Sequence, residues 1–451
     1  MARAGLAVAR LALATCPGAK RVHAVAGPGN NGGDALVAAR WLQRQGLDVR
    51  VTLLADPEHL PDDAGWALRE AGDLRIESAS PDRFEADLLL DGLLGIGLRR
   101  APSGALADAI RRLNAQPSPV LSIDIPSGLD AECGTCHDGL AVRAAHTLSL
   151  LTLKTGLFTA EGRDHAGRVW LDTLGVDACG SAISLIGPQA DKAAPHASHK
   201  GRFGDVAVVG GAAGMAGAAW LAASAALAAG AGRVFVGLLD PSAPTLAPAR
   251  PELMSRSAGF LCAPERLASL TVVAGCGGGD AVRDWLSPCV AHAARLILDA
   301  DALNAVAREP ALTAALQARG ARGRPTLLTP HPLEAGRLLG QDAAAIQADR
   351  PTAARVLAAR FGATVVLKGS GTLVATPDGH LYVNATGNAR LASAGTGDVL
   401  AGWTAGLWSW SGGDAIEAAS RAVFRHGLAA ERAGGAGPLL AADLIHAMQA
   451  L

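Results

Sequence analysis

Residues 390–402 read RLASAGTGDVLAG. Glycines and small residues lead to one acid, Asp398, and an apolar run follows at once. Glycine lets the chain turn tightly, and the apolar run predicts a helix from Asp398 to Trp410. The free N–H groups and dipole of a helix start favour anionic oxygens. The loop is not a Walker A sequence, because no Gly-Lys-Ser/Thr follows it. Asp398 could be a plain charge partner for the dipole or a chemically active carboxylate, and the loop alone leaves both open.

Working outward, DVAVVGG, RVFVGLL, LTVVAGC, RLILDAD, PTLLTPH and TVVLKGSGTLVA predict buried strands. Helices at 216–229 and 415–433 join the one at Asp398. Nearer the N-terminus, RVHAVAG, VRVTLLA, ADLLLDGLLG, PVLSIDIPSG and HTLSLLTL alternate with helices near 34–45 and 105–113. Strands alternating with helices predict doubly wound parallel sheets, whose active groups gather where strands end. The polar, proline-containing stretch GPQADKAAPHASHKGRFG divides the two series and predicts domains at 1–187 and 188–451.

Composition narrows the function. Half of the 451 residues are hydrophobic but only 4% are aromatic, so Ala, Leu and Val must fill the cores. A net charge of −1 excludes a nucleic-acid or acidic-membrane partner as the main theme. Arg10 interrupts the apolar N-terminal stretch, which fits an amphipathic helix better than a leader, so a cytoplasmic protein is expected. Seven scattered cysteines fit reduced thiols. CGTCH at 133–137 matches a haem-attachment pattern, but a chance match in a surface loop is the simpler reading. Of only five lysines, Lys154, Lys200 and Lys368 sit in glycine-containing segments, where a compact ammonium is wanted or where chance put them.

The second half carries HKGRFGDVAVVGG, GAAWLAASAALAAGAGRV, LILDADALN, LLTPHPLEAGRLLG, VVLKGSGT and TGNARLASAGTGDVLAG in order. Together they resemble the ribokinase-like family of NAD(P)H-hydrate dehydratases. The resemblance implies a ribokinase-like fold in which Asp398 is the base. It also implies that Lys368, Gly369, Ser370, Gly371, Thr372 and Gly397 hold an adenine nucleotide. Ala218, Gly277, His331 and Asp398 would contact the hydrated dinucleotide, with ADP as co-substrate and Mg²⁺ beside it. GCGGG at 275–279 departs from that family's usual Gly-Pro-Gly-Leu-Gly, and Leu391 stands where Met is usual. Asp299 and Asp301 are left without a role.

In the first half, GPGNNGGDA at 27–35 lies between a strand and a helix, but its glycines do not match the dinucleotide fingerprint. With DGLLGIGLRRA and IDIPSGLDAECG it resembles the NAD(P)H-hydrate epimerase family, which implies a Rossmann-like three-layer sandwich. Carried over, Asn30, Asn31, Gly32, Gly33, Asp34, Gly95, Ile96, Gly97, Leu98, Arg99, Arg100 and Ala101 bind the hydrate. Asp124 contacts its ring and is the acid/base, while Asn31, Asp91 and Ser127 ligate K⁺. The chain starts at what looks like the end of that family's first helix, so a shortened domain is expected, within a homo-oligomer. The two resemblances imply one repair enzyme that epimerises NADHX and NADPHX and dehydrates the S form with ADP. The rival readings are a hydroxymethyl-pyrimidine or sugar kinase with a regulatory first domain, and a nucleotide sensor without turnover.

Overall fold

The computed structural model describes residues 1–177, 180–190, 193–246, 250–411 and 413–451. Two compact units, Met1–Ser181 and Ala182–Leu451, divide the chain.

The first unit holds seven strands: β1 (Arg21–Ala26), β2 (Asp48–Leu53), β3 (Arg75–Glu77), β4 (Leu88–Gly92), β5 (Val120–Ile123), β6 (His146–Leu150) and β7 (Arg168–Asp172). They form a wholly parallel sheet in the order β3-β2-β1-β4-β5-β6-β7. Both faces are covered, as parallel sheets require, so the strands read as unbroken apolar runs. The pleat sends Val22, Ala24, Leu88 and Leu90 toward the helices Ala2–Thr15 and Asn30–Arg44. Val25 and Leu89 go to the opposite face, toward the helix Gly104–Asn114. Leu88, Leu89 and Leu90 are each buried, a gain of about 2 kcal/mol apiece. The strand order reverses between β1 and β4, so the loops after these two strands splay apart and open a crevice.

The second unit adds β8 (Ile183–Ile186), β9 (Asp205–Gly210), β10 (Arg233–Leu238), β11 (Met254–Ser255), β12 (Thr271–Ala274), β13 (Arg295–Leu298), β14 (Thr326–Leu328), β15 (Thr364–Leu367), β16 (Leu373–Ala375) and β17 (Leu381–Asn384). Their order is β11-β10-β9-β12-β13-β14-β15-β16-β17-β8, with reversal between β9 and β12. One expectation needs correction here. TVVLKGSGTLVA is not one strand but the antiparallel hairpin β15–β16, because Gly369 and Gly371 turn the chain with φ of +139° and +61°. The division at Ser181, within about ten residues of the expected junction, puts β8 with the second unit, where its backbone pairs with β17. Asp191 and Lys192 of the expected linker lie outside the described residues.

The alanine-rich helix Ala216–Ala228 packs closely on the helix Thr396–Ser411. A Cβ at Gly402 would lie 1.9 Å from the Ala222 carbonyl oxygen, and one at Gly406 would lie 2.3 Å from that of Ala226. Small residues on both helices set this approach, and Asp398 rides on the first turn of the buried one.

Candidate functional sites at the two switch points

In the first unit the crevice is a cavity of about 980 Å³. Gly27 makes it possible: a Cβ there would meet the Leu93 oxygen at 1.8 Å, so only glycine lets the two loops close up. Asn30, Asn31 and Asp34 line one wall, Gly95 to Ala101 the other, and Asp124 and Lys154 the floor. Gly32 and Gly33, expected to bind substrate, are not among the lining residues. They are buried within a helix that starts at Asn30, four residues before the expected start, and Cβ atoms there would strike Gly27 and the Met1 side chain. Their glycine character serves packing.

Asp124 adopts φ +67°, a strained state for a residue with a Cβ. Its Oδ1 accepts from the Leu150 amide at 2.9 Å and from the Lys154 ammonium, which also donates to the Leu150 carbonyl at 2.7 Å. The sequence flagged Lys154 only by the scarcity of lysine; the structure joins it to Asp124 in one ion pair. Burial pushes Asp34 up to about 7, against the pull of the Met1 ammonium and with a push from Asp124.

Asn31, Asp91 and Ser127 meet around Leu94. The Asn31 amide donates to the Leu94 oxygen at 2.9 Å, and Ser127 Oγ lies 2.8 Å from the Leu94 nitrogen. Asp91 is fully buried and accepts from Ser122, the Ser127 amide and hydroxyl, and the Leu93 amide. Among the described residues no basic side chain pairs with it, and burial raises its pKa. A desolvated carboxylate set beside hydroxyl, amide and carbonyl oxygens is chemistry that a hard monovalent cation suits.

The second site forms where β9, β12, β13, β14 and β15 end. Asp398 faces Cys276 and Asp299; Sγ and one oxygen of each carboxylate lie within 4.8 Å of one another. The Lys368 ammonium donates to Asp299 Oδ1 at 2.7 Å and stands 3.9 Å from Glu334. Burial, with Asp299 next, pushes Asp398 up to about 7, and burial likewise lifts Glu334 to about 7. Burial opposes the charge on Lys368, yet Asp299 and Glu334 overcome it and raise its pKa. A Cβ at Gly397 would sit 3.5 Å from the Lys368 nitrogen, so the ammonium reaches the head of the Asp398 helix. Cys276 is a soft ligand and Asp299 is already neutralised, so this trio is a poor match for Mg²⁺, which enters such sites on phosphate oxygens.

Gly277 (φ +57°) touches Ala218, since a Cβ there would come within 2.8 Å of the Ala218 Cβ. His331 is an N-cap: its Nδ1 accepts from the Leu333 and Glu334 amides at 3.1 and 3.3 Å, and Nε2 faces Glu334 at 3.1 Å. Gly369, Ser370, Gly371 and Thr372 form the β15–β16 turn, where Thr372 donates to the Gly369 oxygen. Three contributors escaped the sequence. Arg350, fully buried, donates to the Leu367 and Lys368 carbonyls and props the turn from beneath. Glu334 backs Lys368. His426 Nε2 donates to the Thr396 carbonyl at 3.0 Å and pins the start of the Asp398 helix. CGTCH folds as a half-buried hairpin in which burial, then Glu161, pushes the Cys136 thiol up to about 12.

Comparison with known proteins follows this division. The family described as YjeF-related protein N-terminus matches residues 1–156, and that described as NAD(P)H-hydrate dehydratase matches residues 206–449. The bifunctional NAD(P)H-hydrate repair enzyme of Escherichia coli (strain K12) is 35% identical over all of this chain and 88% of its own. That of Moorella thermoacetica is 35% identical over 94% of this chain and 86% of its own. A ribokinase-like superfamily protein from Enterococcus faecalis V583 superposes with TM-score 0.50 at 22% identity, covering 61% of this chain and 97% of that one, which speaks for the fold. With two domains matched in order and a full-length relative at this identity, the chain belongs to the family of bifunctional NAD(P)H-hydrate repair enzymes.

Proposed function

We propose that the first unit interconverts the C6 epimers of hydrated NADH and NADPH and that the second dehydrates the S epimer at the expense of ADP. The observation that carries the second activity is Asp398, a carboxylate poised near neutral pH at a helix head, with Lys368 across from it. In this reading Asp398 takes the proton of the C6 hydroxyl, whose oxygen attacks the terminal phosphoryl of ADP as the bond to AMP breaks. Phosphate then leaves C6 with its oxygen, C5 loses a proton, and the ring double bond returns. Hydroxide is a poor leaving group and phosphate a good one, so the kinase-like step makes elimination feasible. Lys368 and the 369–372 turn hold the nucleotide, and Gly397 lies under its phosphates. Mg²⁺ arrives on those phosphates. Ala218 and Gly277 face the dinucleotide, while His331 acts from its capping position.

In the epimerase, the 980 Å³ cavity takes the hydrated dinucleotide between Asn30–Asn31–Asp34 and Gly95–Ala101. Asp124, steadied by Lys154, gives a proton to the C6 hydroxyl as it leaves as water with the push of the ring nitrogen, and takes a proton back from the water that re-adds to C6 on the other face. K⁺ held by Asn31, Asp91 and Ser127 supplies the positive charge that buried Asp91 lacks. Free thiols at all six described cysteines support a reducing, cytoplasmic setting, and among the described residues no helix is long and apolar enough to cross a membrane. A homo-oligomer is part of this reading.

The test supplies a mixture of both NADH-hydrate epimers with Mg²⁺, K⁺ and ADP or ATP, and follows dihydronicotinamide absorbance with AMP and phosphate release. Full recovery with ADP is expected. Recovery that stops with the R epimer left over would remove the epimerase; stable phosphorylation of sugar or pyrimidine alcohols instead would favour a kinase.

A further inference from the structure

The preceding scheme gives Cys276, a member of the Asp398 cluster, no task. Its side chain is fully buried, and the backbone fixes where it points. Gly275 and Gly277 flank it at φ +115° and +57°, and the Gly211 amide holds its carbonyl at 3.0 Å. A Cβ at Gly275 would lie 1.9 Å from the Asp299 backbone carbonyl oxygen, so this turn is pressed directly against the end of β13. Asp299 divides its two oxygens. Oδ1 accepts from Lys368 at 2.7 Å and Thr329 at 2.6 Å, whereas Oδ2 faces Cys276 Sγ at 3.9 Å. Sγ lies within 4.8 Å of an Asp398 carboxylate oxygen as well.

We propose that Cys276 is a positioning residue for dehydration: its S–H is a neutral donor set between the Asp299 and Asp398 carboxylates, and it keeps Asp398 available as the base. The proposal rests on Asp398 being that base. A buried carboxylate beside a second one needs a donor to hold its charged form, and an S–H group is a weak donor that costs little when it swings between two acceptors. Burial, then Asp398 and Asp299, raises the thiol well above its usual range, so it keeps its proton at neutral pH. Burial, then Asp299, pushes Asp398 up, and an S–H turned toward it from Cys276 draws it down. The other groups around Asp398 are already committed. Asp301, which adds repulsion, accepts from the Gly279 amide at 2.8 Å. Lys368 is shared between Asp299 and Glu334, and buried His426, lowered to about 4, is neutral on the Thr396 carbonyl.

The experiment measures kcat/KM for dehydration of the S epimer from pH 5.5 to 9 in the full chain carrying Cys276→Ala, Cys276→Ser or Asp398→Asn. Cys276→Ala should move the acid limb up by about half a pH unit, so that the loss is about threefold at pH 6 and shrinks toward pH 9. KM for ADP should hold, and Cys276→Ser, with a stronger donor, should return the limb to the parent position or below it. A Cys276→Ala profile that superposes on the parent, or one lowered equally at every pH, would overturn the proposal in favour of inert or packing roles. If Cys276→Ala does not fold, Cys276→Val, of similar bulk but with no donor, takes its place and is read by the same outcomes. Asp398→Asn separates the two ideas, because an active Asp398→Asn enzyme means that the base assignment failed, whatever Cys276 does.

Discussion

Asp34 and Asp398 are near twins in sequence and in setting. Each follows a glycine-rich stretch, sits in the opening turns of a helix, and lies at a reversal of strand order. Burial pushes both to about 7. Their company differs. Asp398 looks across at an ammonium shared by Asp299 and Glu334, while buried Asp34 shares its cavity with the Asp124–Lys154 pair and has an Oδ1 lacking a hydrogen bond. A raised carboxylate therefore marks a site, and the charged groups facing it decide the chemistry. On the proposed reading, those around Asp398 suit proton removal beside a phosphoryl group, and in the first unit the same reading gives proton transfer to Asp124.

The sharpest way to break this contrast is to remove each proposed base in turn. Asp398→Asn should lower dehydration about a thousandfold or more and leave epimer exchange intact. Asp124→Asn should do the reverse, slowing exchange by about a hundredfold or more. Each is read by following the two epimers separately with ADP present. Loss of both activities in either variant would mean that the sites are not separable as described.

Next in size come the glycines that shape the two loops. A Cβ at Gly27 meets backbone, the Leu93 oxygen at 1.8 Å, while one at Gly395 meets mainly the Leu221 methyl at 2.7 Å, with φ +87° adding strain. Gly27→Ala should cost about 3–5 kcal/mol and abolish epimer exchange, whereas Gly395→Ala should cost about 1–2 kcal/mol. Chemical denaturation with both activity assays tests the order. Equal losses would show that the first loop can yield as readily as the second.

Much of this was legible in the chain. The apolar strands, the glycine-to-acid loops and the alanine-rich helices declared a doubly wound fold, because burial on both faces writes itself as unbroken Val, Leu and Ala. The KGSG turn was misread as strand interior since its apolar flanks are continuous; only the positive φ at Gly369 and Gly371 breaks the run. Gly32 and Gly33 pack tightly against Gly27 and Met1, a duty that the sequence alone cannot separate from binding, because both ask for the same glycine. Arg350 and His426 stayed hidden for a different reason: each acts through a backbone carbonyl distant in sequence, Leu367 for one and Thr396 for the other, and no local pattern announces that. Cys276 gave no signal beyond an irregular glycine loop.

The carboxylate twins also predict a shared cost. A group whose folded pKa is raised supports stability below its unfolded value, near 4, and loses that support as pH rises through about 7. Ionising Asp34 or Asp398 at pH 8 therefore destabilises the fold, and Asp34→Asn should raise stability by about 1–3 kcal/mol at pH 8 and leave it unchanged at pH 3.5. Melting midpoints across this range test the sign. A variant less stable at pH 8 would mean that the ionised carboxylate is held by a partner, not merely tolerated.

The smallest effect concerns the paired histidines. His23, buried on Phe84 with Nε2 at 2.8 Å from Thr52 Oγ1, and His426 are both lowered by burial to about 4. Depressed pKa values give stability that is present above pH 6.5 and lost as pH falls through 4, with an upper bound of roughly 3 kcal/mol for each. Replacing either by Gln should flatten acid melting between pH 6.5 and 4. The two should then part company. His23 lies inside the first sheet, away from the cavity lining, so His23→Gln should change stability and spare dehydration. His426 steadies the helix turn that carries Asp398, so His426→Gln should also lower kcat for dehydration about two- to tenfold while a Gln N–H recovers part of the bond to Thr396. Identical kcat in both variants would mean that the Asp398 helix holds its start without His426, and that the glycine loop and the Ala216–Ala228 contact suffice to place the base.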